Sequence, residues 1–299
     1  MPLAKSMGTA EYDVAYQGQP GAFSEDATFD FVSRDSRLLG LKTLQDVFDS
    51  VARGQASYAV IPVENTLAGP IDETYDLLAQ NDLIIIDETV QTISHCLIVP
   101  KGMPIEDVRR VLSHPIALAQ CEQSLKTQLK MEPVAAFDTA GAVELVIREK
   151  TPHTGAIGSA RSAEVYGGEI LRSGIQDHPE NYTRFLLMCA PDNPRVERPS
   201  SDSRKTSICF QVPHSERRDS GVLRPFIECG IPLTNVLSRP VRGTDSESIY
   251  HVDFIGTMES DRVGEAISQL KGGRRAVKVI GTYPLRVATI REVVRSGLP

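Results

Sequence analysis

The chain has 299 residues, 41% of them hydrophobic and 24% charged, and a formal net charge of −7. That length and mixture permit one or two buried cores without a disulfide or metal staple, and the negative charge argues against a nucleic-acid partner, which would call for a clustered basic face. The five cysteines are far apart with no CxxC pair, the six histidines form no HExxH or HxxxH pair, and no apolar run approaches a membrane span. The histidine spacing gives a zinc site little support, and residues 1–11 lack the apolar core of a secretion signal, so the expectation is a reduced, cytoplasmic protein.

From residue 13 to about 188, short apolar strands alternate with Gly or polar turns and amphipathic helices, a pattern that predicts an α/β domain with parallel sheets. Strands are expected at 14–16, 58–62, 83–87, 95–99, 111–112, 134–137, 155–158 and 186–188. Leu44, Val47, Phe48 and Val51 stand at i, i+3, i+4 and i+7, one face of a helix. Ser24, Ser113, Asp138 and Ser159 each precede a helical pattern and read as N-caps, with Pro115 suited to a first turn. Helix N-termini that follow strands offer unpaired N–H groups to anions, although every α/β protein has such termini.

Residues 191–204, with Pro191, Pro194, Pro199, Ser200, Ser201 and Ser203, read as a linker. After it come a strand at 205–212 and a helical face of Val222, Leu223, Phe226 and Ile227 that stops at Gly230. Strands at 233–238 and 250–256 follow. Val263, Ala266, Ile267 and Leu270 form a second helical face ending at Gly272 and Gly273, and the last strand is 277–283. This βαββαβ order implies a four-stranded sheet backed by two helices, a ferredoxin-like module. The tail 285–299, with Val287, Ile290 and Val294 at helical spacing, reads as a short helix or a frayed end.

No GxxxxGK[ST] or GxGxxG pattern is present. Three polar segments follow apolar strands instead. Gly18 to Glu25 makes a strand-to-helix turn. Asn65 and Thr66 could orient a ligand or cap the next helix. Thr183, Arg184 and Phe185 bring a hydroxyl, a guanidinium and a ring together, fit for a carboxylated cyclic substrate, or else simply alternate in a strand with Arg184 in solvent. No base is paired with a nucleophile at motif spacing. Residue types alone thus imply a two-lobed α/β protein gripping a small anion.

Taken in order, the segments Val14-Ala15-Tyr16-Gln17-Gly18-Gln19-Pro20-Gly21-Ala22-Phe23-Ser24-Glu25, Pro62-Val63-Glu64-Asn65-Thr66, Ser113-His114-Pro115, Asp138-Thr139-Ala140 and Asn181-Tyr182-Thr183-Arg184-Phe185 resemble the successive signatures of prephenate dehydratases and the related arogenate dehydratases. The later segments Ser220-Gly221-Val222-Leu223, Leu233 to Pro240 and Val279 to Pro284 resemble the ACT regulatory domain of that family. Together the resemblance covers residues 13–284.

The resemblance implies a catalytic domain at 12–190 with the two-lobed fold of type II periplasmic binding proteins, its chain crossing near 87 and again at 170–177. The linker 191–204, an ACT domain at 205–284 and the tail 285–299 would follow. The implied activity is cofactor-free decarboxylation and dehydration of prephenate to phenylpyruvate in phenylalanine biosynthesis. Prephenate is a dianion whose ring becomes aromatic as carboxylate and hydroxide leave, so a donor to the departing hydroxyl suffices and no strong base is needed. By similarity Thr183 is that donor, helped by Asn65 and Gln120, while Ser24, Glu64, Thr66, Ser113, Thr139, Arg184 and Phe185 form the substrate site. Phenylalanine would bind at ACT interfaces in a homodimer or homotetramer, through Gly221, Val222, Leu223, Asn235, Leu237, Ser238, Arg239 and Pro240.

Four positions depart from the family pattern. Ala22 replaces a frequent Thr, a variant associated with the arogenate-using branch, and Thr66 keeps the hydroxyl of the usual Ser. Ile116 replaces a Gln beside the cleft. Leu237 replaces the Glu that commonly precedes Ser238-Arg239-Pro240 and could hold the ligand's ammonium. Two rival readings therefore stand beside the first, an arogenate dehydratase yielding phenylalanine directly and a non-catalytic amino-acid sensor.

Overall fold

The computed structural model describes residues 10–193, 204–213, 220–241, 247–272 and 276–286. The expected elements at 194–203 and 287–299, the bulk of the linker and the tail, lie outside the described residues. In chain order the elements begin with β1 (Tyr12–Gln17), α1 (Phe23–Thr28), β2 (Leu38–Leu41), α2 (Leu44–Ala52), β3 (Ala56–Asn65), β4 (Gly69–Pro70), α3 (Asp72–Gln80) and β5 (Ile84–Thr92). Next come β6 (Cys96–Val99), β7 (Arg110–Ser113), α4 (Pro115–Gln120), β8 (Glu132–Ala135), α5 (Thr139–Glu149), β9 (Thr154–Gly158), α6 (Ala160–Tyr166), β10 (Glu169–Ser173) and β11 (Tyr182–Cys189). The chain continues with β12 (Arg204–Pro213), α7 (Arg224–Glu228), β13 (Leu233–Pro240), β14 (Glu247–Ile255), α8 (Asp261–Gly272) and β15 (Val277–Pro284). Among the described residues no helix is long and apolar enough to cross a membrane.

Internal contacts group the chain into two units. One holds the described residues up to Ile71 with Thr89–Phe185, the other Asp72–Glu88 with the described residues from Leu186 on. Strands β5 and β11 each contribute to both. The partition differs from the linear division at the linker, because 72–88 belongs with the C-terminal residues.

The first unit contains two sheets, hence two lobes. In the first lobe β1 pairs in parallel with β2 and β3, β4 folds back antiparallel on β3, and β3 also neighbours β11. The second lobe is the sheet β10-β6-β9-β7-β8. Here the expectation of parallel strands needs correction: β7 is parallel to β8 and β9, but β6 runs antiparallel to β9 and β10. The reversal arises because β6 enters the sheet directly from the other lobe, with no crossover helix before it. All four residues of β6 are buried. Leu97 and Val99 pack with Val111, Leu125 and Met131 on one face, and Cys96 and Ile98 with Val143 and Val146 of α5 on the other. The chain leaves the first sheet after Thr92 and re-enters it at Tyr182, later than the crossings expected at 87 and 170–177, because β5 runs on to Thr92 and β10 occupies 169–173.

Helix starts obey local chemistry, with two corrections. The Asp138 carboxylate accepts from Gly141 N and the Ser159 hydroxyl from Ser162 N, as N-caps do. Ser24, in contrast, lies inside α1, whose N-cap is Ala22. Ser113 ends β7, and His114 caps α4 with Pro115 in its first turn.

In the second unit β12, β13, β14 and β15 form an antiparallel array in the order β13-β14-β12-β15, the ferredoxin-like order for βαββαβ. Phe210, Val252, Phe254, Phe226, Ala266 and Leu270 pack between the sheet and helices α7 and α8. Ile227 is the exception to its expected helical face at 70% exposed, because α7 is too short for a second buried position one residue on. The opposite face carries α3. The Asn235 side-chain amide donates to the Tyr75 hydroxyl at 2.9 Å and Arg239 Nε to Asp76 at 2.9 Å. Lys278 Nζ donates to the carbonyls of Leu78, Ala79 and Asn81 at the C-terminal end of α3, the end that attracts cations. A buried ion pair, Lys205 Nζ to Glu88 at 2.8 Å, joins β12 to β5. The pairing of Gly281 with Ile85 is so close that a Cβ on Gly281 would stand 2.2 Å from the Ile85 carbonyl oxygen.

Candidate active site

A cleft of about 670 Å³ opens within the first unit. The first lobe lines it with Gln17 to Gln19, Ala22, Phe23, Ser24, Lys42, Asn65, Thr183 and Phe185, and the second with His95, His114, Ile116, Gln120, Phe137, Asp138 and Thr139. One edge of the two lobes is tied by the turn before α1. Gly21, at φ +88°, directs its N–H to the Glu25 carboxylate at 2.7 Å, which also accepts from Arg161 Nε at 2.7 Å, while the Ser159 hydroxyl donates to Gly21 O at 2.6 Å. Only glycine fits that position, since a Cβ would sit 2.6 Å from Ser162 Cα.

At the floor of the cleft three carboxamides close a ring. Asn65 Nδ2 donates to Asn181 Oδ1 at 2.8 Å, Asn181 Nδ2 to Gln120 Oε1 at 2.9 Å, and Gln120 Nε2 to Asn65 Oδ1 at 3.4 Å. Asn65 Oδ1 also accepts from the backbone N–H of Leu67 and Ala68, which anchors the loop after β3. The ring fixes every amide's orientation, because reversing one would set donor against donor. Gln120 Oε1 can only accept, so His95 Nε2, 2.8 Å away, carries a proton. Burial holds the His95 pKa below its ordinary value, the ring is neutral, and its Nδ1 is buried without a partner. His114 is likewise pushed down by burial.

The consequence falls on Thr183. Its hydroxyl oxygen accepts from Asn65 Nδ2 at 2.9 Å, and no acceptor among the described residues takes its proton. The O–H of this residue, 8% exposed, is therefore a positioned donor in the cleft.

Of the residues singled out from the sequence, the structure brings Thr183, Asn65, Gln120, Ser24, Thr139 and Phe185 to the cleft. It does not bring the other four. Arg184, 3% exposed, pairs with Glu64 at 3.1 Å, because β11 is buried on both faces and leaves no solvent side for a guanidinium. The Thr66 hydroxyl donates to Glu180 O and accepts from Tyr182 N, clasping β11. The Ser113 hydroxyl donates to Ile157 O, fully buried.

In the second unit Val222 is buried in the core and Gly221 and Leu223 lead into α7. On β13, Asn235 and Arg239 are engaged with α3, while Leu237, Ser238 and Pro240 pair with β14. The sequence reading missed Lys42, His95 and Phe137. No motif marks Lys42 or Phe137; His95, a polar residue opening an apolar strand, was the one available signal.

The comparisons accord with this geometry. The family model for prephenate dehydratase matches residues 14–193. A chloroplastic arogenate dehydratase 3 of Arabidopsis thaliana is 38% identical over 288 residues, spanning 91% of this chain and 67% of the relative. Among solved structures, GqqA, described as a novel type of quorum quenching acylase, is 31% identical with a TM-score of 0.79, covering 91% of this chain and 97% of its own. The prephenate dehydratase of Arthrobacter aurescens in complex with L-Phe is 24% identical with a TM-score of 0.80, covering 91% and 89%; its likeness is one of fold. On the match across both lobes and the identity to the plant enzyme, the chain belongs to the prephenate dehydratase family.

Proposed function

We propose that the chain is a decarboxylating dehydratase that converts prephenate to phenylpyruvate. The observation that carries the proposal is the Thr183 hydroxyl, fixed through its oxygen by Asn65 and free to donate into the cleft. In the reaction the ring carbon–carboxylate bond breaks and releases CO2. Its electron pair moves through the ring, the carbon–oxygen bond at the opposite carbon breaks, and the leaving hydroxide takes one proton to become water. A preorganised donor gains strength where that negative charge develops in a site shielded from bulk water. The amide ring costs no reorganisation at that moment, since its partners are already paired. In this reading Ser24, Thr139 and the N–H groups opening α1 and α5, at the cleft, would meet carboxylate oxygens, and Phe23 and Phe185 would flank the ring.

An acyl-transfer reading would need a hydroxyl or thiol paired with a base. Among the described residues of the cleft, His95 meets Gln120 and His114 Nδ1 takes the Ile116 N–H, and neither partner is a nucleophile. For the second unit the proposal is an ACT module that binds phenylalanine and inhibits. Its support is the βαββαβ order and the position of β13 at the sheet edge, where a second copy could pair in a dimer or tetramer.

The test is to incubate the purified chain with prephenate and with arogenate, with and without phenylalanine, and identify the products. Thr183→Ala should lower kcat by about 10² to 10⁴ with KM little changed. Full activity in that variant would remove Thr183 from the mechanism, and product from neither substrate would leave the sensor reading.

A further inference from the structure

We propose that Lys42 is a specificity-determining residue that binds the substrate's side-chain carboxylate at the mouth of the cleft and favours the keto acid over the amino acid. The inference rests on the dehydratase reading above and deepens it.

Both candidate substrates carry two carboxylates, yet among the described residues that line the cleft Lys42 is the one lysine or arginine. Arg184, which the motif suggested for this task, is sealed against Glu64. Lys42 makes no ion pair among the described residues. Its Nζ sits 4.6 Å from the centroid of the Phe137 ring, which holds an exposed ammonium in place without neutralising it. Lys42 follows β2 in the first lobe and Phe137 follows β8 in the second, so the contact spans the opening. Asp138 is the other charged group at this rim, and its carboxylate is committed to Gly141 N at the start of α5, where the helix end offsets its charge.

The chemistry says which carboxylate the lone cation should hold. The ring carboxylate leaves as CO2, so a cation on it would stabilise the ground state and raise the barrier. The side-chain carboxylate is unchanged in the product and can be gripped without that penalty. In the keto acid the neighbouring carbon bears a neutral oxygen. In the amino acid it bears an ammonium, which would face Lys42 as a like charge.

The experiment compares wild type, Lys42→Met and Lys42→Arg on prephenate and arogenate. Wild type should prefer prephenate in kcat/KM. Lys42→Met should raise KM for prephenate about two- to fivefold with kcat nearly unchanged, a loss expected for one exposed charge contact. It should leave arogenate unchanged or improved, and Lys42→Arg should restore the wild-type pattern. KM for prephenate should rise with added salt in wild type and much less in Lys42→Met. An unchanged KM in Lys42→Met, a fall in kcat alone, or an equal loss on both substrates would overturn the role of Lys42 while leaving the dehydratase reading intact. A wild-type chain that turns over neither substrate would overturn both.

Discussion

The polarity of the amide ring can be tested by a change that alters one atom pair. Asn181 is fully buried, donates to Gln120 Oε1 at 2.9 Å and accepts from Asn65 Nδ2 at 2.8 Å. Asn181→Ala removes both bonds but orphans neither neighbour, since Gln120 Oε1 keeps His95 and Asn65 Nδ2 keeps Thr183 and Tyr182 O. At about 1 kcal/mol net per bond, the stability cost should be about 2 kcal/mol, with kcat falling roughly 10- to 100-fold as Gln120 and Asn65 lose their fixed aim. Asn181→Asp keeps the shape but sets an acceptor oxygen 2.9 Å from the Gln120 oxygen and buries a charge. At neutral pH it should be worse than the alanine variant in both respects. Burial raises a carboxyl's pKa, so the Asp variant should regain activity as pH falls, when its O–H can donate to Gln120 as the amide did. Initial rates per folded enzyme across pH, with urea unfolding of the same samples, separate the effects. An Asn181→Asp enzyme as active as wild type at neutral pH would show that the ring is wrongly oriented. A stability loss with kcat untouched would make it scaffolding.

Two further outcomes concern the second unit. Gly281→Ala should cost about 3 kcal/mol or more, because its Cβ would meet backbone oxygen at 2.2 Å and neither strand can yield without losing its pairing; a thermal midpoint within a degree of wild type would contradict the close approach of β5 and β15. His251, 2% exposed with both ring nitrogens unpartnered, has its pKa pushed down from 6.5 to about 4 by burial. A folded pKa below the unfolded one means that the unfolded chain takes up the proton first, so stability is full above about 6.5 and declines as pH falls. From pH 7.5 to 5 the loss should be about 2 kcal/mol, read as the wild-type curve minus that of His251→Leu; a pH-independent difference would refute it.

Much of the fold was legible because the chain punctuates itself clearly. The strong periodicity at Leu44 to Val51 and at Val263 to Leu270 gave helices in place, and Asp138 and Ser159 cap as their chemistry suggests. Short strands with few buried residues, such as β2 and β10, carry no comparable signal, and the reversal of β6 depends on how the lobes connect. At the site, the resemblance to the family named Thr183, Asn65 and Gln120, but residue types could not tell a guanidinium that grips substrate from one that grips Glu64. Nor could they reveal Lys42, which matters only because two turns from separate lobes meet across the opening.

The inclusion of 72–88 in the second unit bears on how this protein can be taken apart. A truncation that starts at the Pro/Ser-rich stretch would carry β12 to β15 and helices α7 and α8 but not α3 or β5. Lys205 would lose Glu88, Arg239 would lose Asp76, and the sheet face beneath Tyr75 would be laid bare to water. A recombinant fragment cut there should be less stable than the same residues in the intact chain, and an amino-acid affinity measured on it would mix that uncovered face with the edge of β13.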